Sequence, residues 1–416
     1  MLLWAPATWV CASSIDSLSA YQDIALRENP QILEKFYEYK ASLQKVAQAK
    51  SLPDPELNLG VLLKPMEVIG GEQVAEINLM QMFPWFGVLK NAQDEMSLMA
   101  KAKFATFENE KLQVQFDVRS VGIDLVENGL KKRILQKSIE LLQTMERLGY
   151  ARLRSGSSTN GMNTEAGNST LSGIYQIQLE IAEMNYDLVE MENERQVLAS
   201  KLNNMLNRNL STPLFLSDEL SKDSLDPSFL VVHDSIFTQH PMTTMLVMEE
   251  KSLEAKGKMQ KQMGMPMVGV GLSYTILQKN PMSTSPMNGQ DMFMPMVRVS
   301  VPIYRKKYQA QIKENQYLRA ATNEKYQATR NNLKQMHFEA VQMYIDAQRR
   351  IKLFENQLVV TEKMLELTTR NFSTSTSTLT ELLELQEKQL IYERKKVEAL
   401  ADFNRSKYMI YRLLLL

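Results

Sequence analysis

The chain is nearly empty of the residues most site chemistries need. It has one cysteine, Cys11, and three histidines, His233, His240 and His337, in 416 residues. Disulfide frameworks, cysteine-rich zinc modules and a Cys/His nucleophile pair are therefore not expected. Neither sign of charge is in excess: 48 Lys and Arg balance 48 Asp and Glu. That balance argues against a basic nucleic-acid surface and against an acidic solvating tail. No run of 18 or more apolar residues exists, which excludes a helical membrane span. No nucleophile–base set or metal-ligand cluster is visible, and Gly269-x-Gly271 lacks the third glycine and the following helix of a nucleotide fingerprint. The sequence predicts no enzyme, no cofactor and no metal centre.

Proline and glycine are missing in long stretches. There is no proline between Pro84 and Pro213, and neither residue follows Pro302. Proline breaks a helix interior by about 3 kcal/mol and glycine costs about 1, so this exclusion is what very long helices require. The same stretches are rich in Ala, Glu, Lys, Gln, Leu, Met and Arg. Ile351, Leu358 and Leu365 fall seven apart, and Leu135, Ile139 and Leu142 sit at i, i+4 and i+7. Two long helical arms with coiled-coil packing are expected.

The prolines instead bracket two short segments that alternate like strands. Val268, Val270, Leu272, Tyr274 and Ile276 share one face, against Gly269, Gly271, Ser273 and Thr275 on the other. Leu57, Leu59 and Val61 alternate with Glu56, Asn58 and Gly60; Ile77 and Leu79 alternate with Glu76, Asn78 and Met80. Val297, Val299 and Val301 alternate with Met296, Arg298 and Ser300. Four strands of about ten residues in two hairpins follow, with loops at Lys64–Gln73 and Lys279–Asp291.

The layout occurs twice. Asn29-Pro30 matches His240-Pro241, Pro55 matches Pro266 and Gly60 matches Gly271 at an offset of 211. Pro84 then matches Pro302, Arg152 matches Arg370 and Ser155 matches Ser373 at an offset of 218. A constant offset means two long helices of equal length, each roughly 100 Å. The expected organisation is a signal peptide at 1–12, whose missing charged n-region leaves a truncated start open, and a first repeat at 13–212. That repeat holds a helix, a hairpin at 55–84, a long helix at 87–155, a tip at 155–172 and a helix at 173–207. A linker at 213–235 leads to a second repeat at 236–416, with a helix, a hairpin at 266–302, a long helix at 305–372, a tip at 373–378 and a helix at 379–413.

Alternation over about ten residues suits a tilted membrane strand. Isolated hairpins cannot span lipid, because their edges leave backbone groups unpaired. Four strands are too few to close a barrel, so several copies must contribute, and three would supply twelve. A soluble coiled-coil scaffold or adaptor capped by β-hairpins is the alternative. Leu2 to Val10 is a short apolar run before Val10-Cys11-Ala12, a small-residue cleavage site. Lipidation of Cys11 is the other reading, though Thr8-Trp9-Val10 makes a poor lipobox.

Leu52-Pro53-Asp54-Pro55, Gln81-Met82-Phe83-Pro84-Trp85-Phe86-Gly87 and Ser300-Val301-Pro302-Ile303-Tyr304, set in this duplicated layout, resemble the TolC family of outer-membrane efflux proteins, in its heavy-metal (CusC/CzcC-like) branch. The resemblance covers the chain from about Ile15. It implies a mainly α fold with a β-barrel part: long antiparallel coiled-coil helices and four membrane β-strands per protomer, joined in a homotrimeric tube. It further implies outer-membrane lipid around the barrel, a large periplasmic part, a periplasmic membrane-fusion adaptor and an inner-membrane RND or ABC pump. The function implied is a passive conduit for drugs or metal ions. The family's Tyr-x-x-Gly run at the helix tips is blurred here, from Tyr150 to Gly156 and at Phe372-Ser373-Thr374.

On that reading Glu56, Asn58, Glu76, Asn78, Ser273, Thr275, Arg298 and Ser300 face the lumen, since charged side chains facing lipid cost about 2–4 kcal/mol at the midplane. Ser155, Gly156, Ser373, Thr374, Glu381 and Glu384 mark the periplasmic tip and the adaptor contact. An ordinary helix–helix loop and a solvated charge pair are the plainer readings. Trp85, Phe86, Tyr274 and Tyr304 fit either interfacial girdles or core. The methionines from Met259 to Met296 read first as flexible core filler, though thioethers are also soft Cu(I) ligands.

Overall fold

The structure, a computed structural model, describes residues 18–156, 164–216, 219–220, 222–231, 234–282, 284, 286–373 and 377–415. The signal expected at 1–12, with Cys11, lies outside them, as does His233. The chain is mainly α with one small antiparallel sheet. Its elements run α1 (Leu18–Glu28), α2 (Pro30–Lys50), β1 (Glu56–Val68), β2 (Gly71–Phe83), α3 (Val88–Gly156) and α4 (Thr164–Met205). A 3₁₀ turn (Pro227–Leu230) and α5 (Asp234–Gln239) precede α6 (Pro241–Met263), β3 (Met267–Gln278), β4 (Met292–Ser300), α7 (Arg305–Ser373) and α8 (Leu379–Leu414). The order α2–β1–β2–α3–α4 recurs as α6–β3–β4–α7–α8. The proline-free stretches form α3 and α7, each 69 residues long.

Two expectations need correction. The loop expected at Lys64–Gln73 is strand on both sides of a two-residue turn, because Val68 pairs with Gly71 across Ile69 and Gly70. The backbone there takes φ +131° at Gly71, where a Cβ would collide with the Gln278 carbonyl. Pro65, which read as loop, sits instead in the register shift between Val61 and Met66, where its missing N–H leaves no ladder bond broken. The tip expected at 155–172 is also shorter, since α4 begins at Thr164. Ser and Thr are weak helix formers in isolation, and packing of the next turn, where Gly173 meets Leu379, offsets that weakness.

The chain divides into two compact units. The first holds residues 1–33, 109–240 and 332–416, and is helical. One core gathers Leu135, Leu142, Ile174, Ile177 and Leu382; another gathers Ala340, Tyr344, Phe403 and Ile410. Arg405 of α8 joins α3 by ion pairs to Asp124 (2.6 Å) and Glu127 (3.4 Å) and also holds Asp402 (2.6 Å), which Arg350 of α7 reaches at 2.9 Å. The second unit holds residues 34–108 and 241–331: the sheet with α2, α6 and the first parts of α3 and α7. Within it Tyr39 packs on Phe104, Lys103 pairs with Glu38 at 2.9 Å, and Arg319 holds Glu250 at 2.6 Å.

Candidate functional site: the two faces of the sheet

The sheet order is β1-β2-β3-β4, antiparallel throughout, so β1 and β4 are open edges. The central pair, β2 with β3, joins strands that stand far apart in sequence. Register decides which side chains share a face. Asn58, Asn78, Ser273 and Met294 form one cross-strand row; Glu56, Met80, Gly271 and Met296 form the next. Glu76 pairs with Thr275, Gly269 with Arg298, and Met267 with Ser300. All eight residues expected on the polar face thus occupy one side of the sheet.

They also bond to one another. The Asn78 amide donates to Glu76 Oε1 at 2.9 Å and the Ser273 hydroxyl donates to the same oxygen at 3.0 Å. Arg298 stands 3.8 Å from Glu56 across the width of the sheet. Six methionines share this side: Met80 and Met82 of β2, Met267 of β3, and Met292, Met294 and Met296 of β4. Met80 and Met82 lean over β3, where a Cβ at Gly271 or Gly269 would collide with their thioethers. The glycines of β3 are thus the space into which these side chains fold. Mixed polarity with soft, mobile thioethers can solvate a passing solute, and nothing in the row resembles acid–base or nucleophilic machinery.

The opposite side carries Leu57, Leu59, Val61, Ile77, Leu79, Val268, Val270, Leu272, Ile276, Val297 and Val299. Apart from the half-buried Ile77 these residues are exposed: Leu59 is 68% exposed, Val270 53% and Val297 73%. A contiguous apolar surface of this kind on a regular sheet marks contact with an apolar phase or a partner. Trp85, Phe86 and Tyr304, at the strand ends, are exposed too, so none of them is core. Tyr274 is exposed on β3 and its hydroxyl donates to Asp291 at 2.5 Å. At the other end of the sheet the two hairpin loops are stitched together, which the sequence did not signal. Gly289 N–H donates to Gly70 O at 2.7 Å and Asn280 donates to Glu67 at 2.8 Å.

The expected tip residues are described only in part. Gly156 ends α3; the side chains of Ser155 and Ser373 and the whole of Thr374 lie outside the described residues. Glu381 and Glu384 are exposed in the first turns of α8. The residues that shape this region were missed. Leu379 wedges against Gly149 and Gly173, and the Arg152 guanidinium lies over the Phe372 ring at 4.7 Å. Burial, reinforced by Glu387, Glu183 and Asp187, pushes the Glu180 carboxyl on α4 above its usual range. Among the described residues no helix is long and apolar enough to cross a membrane, and no group of three or more His, Cys, Asp or Glu stands together as a metal site.

No family model and no curated protein sequence matches the chain. Solved structures do. CusC, a protein described as forming a transmembrane channel, matches with a TM-score of 0.75 at 14% identity, over 99% of this chain and 95% of that one. The outer-membrane protein VceC of Vibrio cholerae matches with a TM-score of 0.75 at 13% identity, over 95% of each chain. The CmeC outer-membrane channel of Campylobacter jejuni matches with a TM-score of 0.76 at 11% identity, over 95% of this chain and 85% of that one. At these identities the likeness is one of fold. Over nearly its whole length, the chain has the fold of these outer-membrane channels.

Proposed function

We propose that the chain is one protomer of a homotrimeric outer-membrane channel, a passive conduit from periplasm to exterior. The observation that carries this reading is the sheet: one face exposed and apolar, the other polar, both edges unpaired. In lipid every backbone N–H and C=O must be paired, so an open four-stranded sheet is viable there only as part of a closed barrel. Three copies give twelve strands, within the range of membrane barrels, with the apolar face outward and Glu56, Asn58, Glu76, Asn78, Ser273, Thr275, Arg298 and Ser300 toward the lumen. The helices support the same assembly. Tyr175, Leu179, Tyr186 and Val189 form an exposed apolar stripe on α4, and Leu353, Val360, Met364 and Leu367 form one on α7. Both follow three- and four-residue spacing, the seam of a coiled coil that lacks its second strand.

The conduit itself does no chemistry. It works with a periplasmic membrane-fusion adaptor, which contacts the helix tips near Gly156, Glu381 and Glu384, and with an inner-membrane pump that selects the drugs or metal ions passed through. Purified in mild detergent, the chain should weigh three protomers by native mass measurement and should open ohmic steps in a planar bilayer. A monomer that opens no conductance, or a chain that fractionates with the cytosol, refutes the reading.

A further inference from the structure

The helical unit holds a cleft that the channel reading does not use. It has a volume of about 1000 Å³ and lies between α3 and α4, with residues 210–216 as its outer wall. That wall is built. The fully buried Asn203 amide donates to Leu210 O (3.1 Å) and Thr212 O (2.9 Å). The buried Tyr21 hydroxyl donates to Phe215 O at 3.3 Å and accepts from Phe215 N–H at 3.0 Å. A wall pinned at both ends makes the space pre-formed, and its size is that of sites for drug-sized ligands.

Its lining has two characters. Leu125, Val126, Leu214 and Phe215 give an apolar floor and wall, while Lys132, Arg133 and Arg195 stand with the carboxylate Glu192. Lys132 and Arg195 share the one carboxylate of Glu192, which leaves a positive charge over at this edge. Lys132 holds Glu192 at 2.5 Å, but Arg195 stands back at 3.9 Å, far enough to share itself with a second anion. An apolar slot with cations at its edge is complementary to a molecule with an apolar chain and an anionic head. Gly129 opens onto this space: a Cβ there would meet nothing within 4 Å.

We propose that this cleft binds a single-chain anionic amphiphile, its chain against Leu125, Val126 and Phe215 and its carboxylate or sulfate head against Arg195 and Lys132. The test is calorimetric titration of the full-length chain, held in zwitterionic nanodiscs, with decanoate below its micelle concentration and with decanol as the neutral probe. Saturable binding of one decanoate per chain is expected, with decanol at least tenfold weaker. Gly129→Trp, which fills the slot from a position with room for it, should abolish binding, and Gly129→Leu should weaken it should the larger variant fold poorly. Arg195→Gln should weaken decanoate about tenfold and flatten its salt dependence, while leaving decanol unchanged. Equal binding of decanol, or decanoate binding untouched by both Gly129 variants, overturns the proposal. So does a wild type that binds nothing while Gly129→Trp falls from trimer to monomer, because the cleft then belongs to a second copy. Channel conductance is read separately, so failure here leaves the channel reading standing.

Discussion

Leu142 and Leu59 are both leucines in regular, hydrogen-bonded backbone, yet Leu142 is fully buried in the helical unit and Leu59 is 68% exposed on the sheet. The helical unit buries cores of its own within one chain, meeting Leu379 and Phe403 from α8, and leaves open the apolar stripes on α4 and α7. The sheet folds Met80 and Met82 over the β3 glycines on its polar side and leaves the apolar face bare. Burial of a leucine is worth about 1.5–3 kcal/mol, so a row of bare apolar side chains is a large stabilisation left unclaimed. The difference separates a part held together by cores of its own from a part whose apolar face has no cover within the chain.

The sharpest way to break this comparison is to truncate one leucine from each region. Leu142→Ala should cost about 2–5 kcal/mol in urea unfolding of the detergent-solubilised chain, through lost contacts and the cavity left behind. Leu59→Ala should cost no more than about 0.5 kcal/mol there. Equal costs would mean that the sheet face is covered by protein. Moving to lipid inverts the ranking on the sheet. Val270→Arg should destabilise the vesicle-inserted protein by about 2–4 kcal/mol, whereas Ser273→Arg on the opposite face should change conductance more than stability. If the two arginines exchange these effects, the assignment of faces is wrong.

A third measurement asks how dry the helical interior is. His240, 1% exposed, lies at the start of α6, and burial with the nearby Arg412 charge pushes its pKa from 6.5 down to about 4. The folded state therefore holds it neutral where the unfolded chain would protonate it. Its contribution is fully present above about pH 6.5 and is lost as pH falls toward 4, by roughly 3 kcal/mol in total. His240→Asn installs the residue found at the equivalent junction, where Asn29 Oδ1 accepts from Gln31 N–H at 2.9 Å and caps α2. That variant should flatten the pH slope of urea unfolding between 4 and 6.5. An unchanged slope would place the titration elsewhere.

Much of this contrast was legible in the residues themselves. Period-two alternation assigned Glu56, Asn58, Ser273 and Arg298 to one face, because side-chain direction in a strand depends only on position parity. The exclusion of proline from both stretches, and of glycine from the second, gave the two long helices for the same local reason. Pairing between β2 and β3 was not legible, since Phe83 and Val268 meet only after the chain has returned along α3 and α4. The turn at Ile69-Gly70 was hidden because Pro65 and the Gly70-Gly71 pair imitate a longer loop. The cleft beside Gly129 could not be read either: it exists because Asn203 and Tyr21 hold a stretch without helix or strand in place, and such hydrogen bonds leave no period in the sequence.

The smallest effect concerns how each region treats its ends. The start of α8 satisfies itself: Thr378 Oγ1 accepts from the Glu381 N–H at 3.2 Å, and Glu381 places a negative charge in the first turn. At its other end Leu415 takes φ 63° and its N–H closes on Tyr411 O. The outer edges of β1 and β4 have no such partner within the sheet. Thr378→Ala should therefore cost about 1 kcal/mol in urea unfolding, and Thr378→Ser should restore most of it, because only the hydroxyl is needed. A cost shared by both variants would trace to the lost methyl group instead of the cap. The contrast between self-satisfied helix ends and open strand edges would then rest on the strands alone.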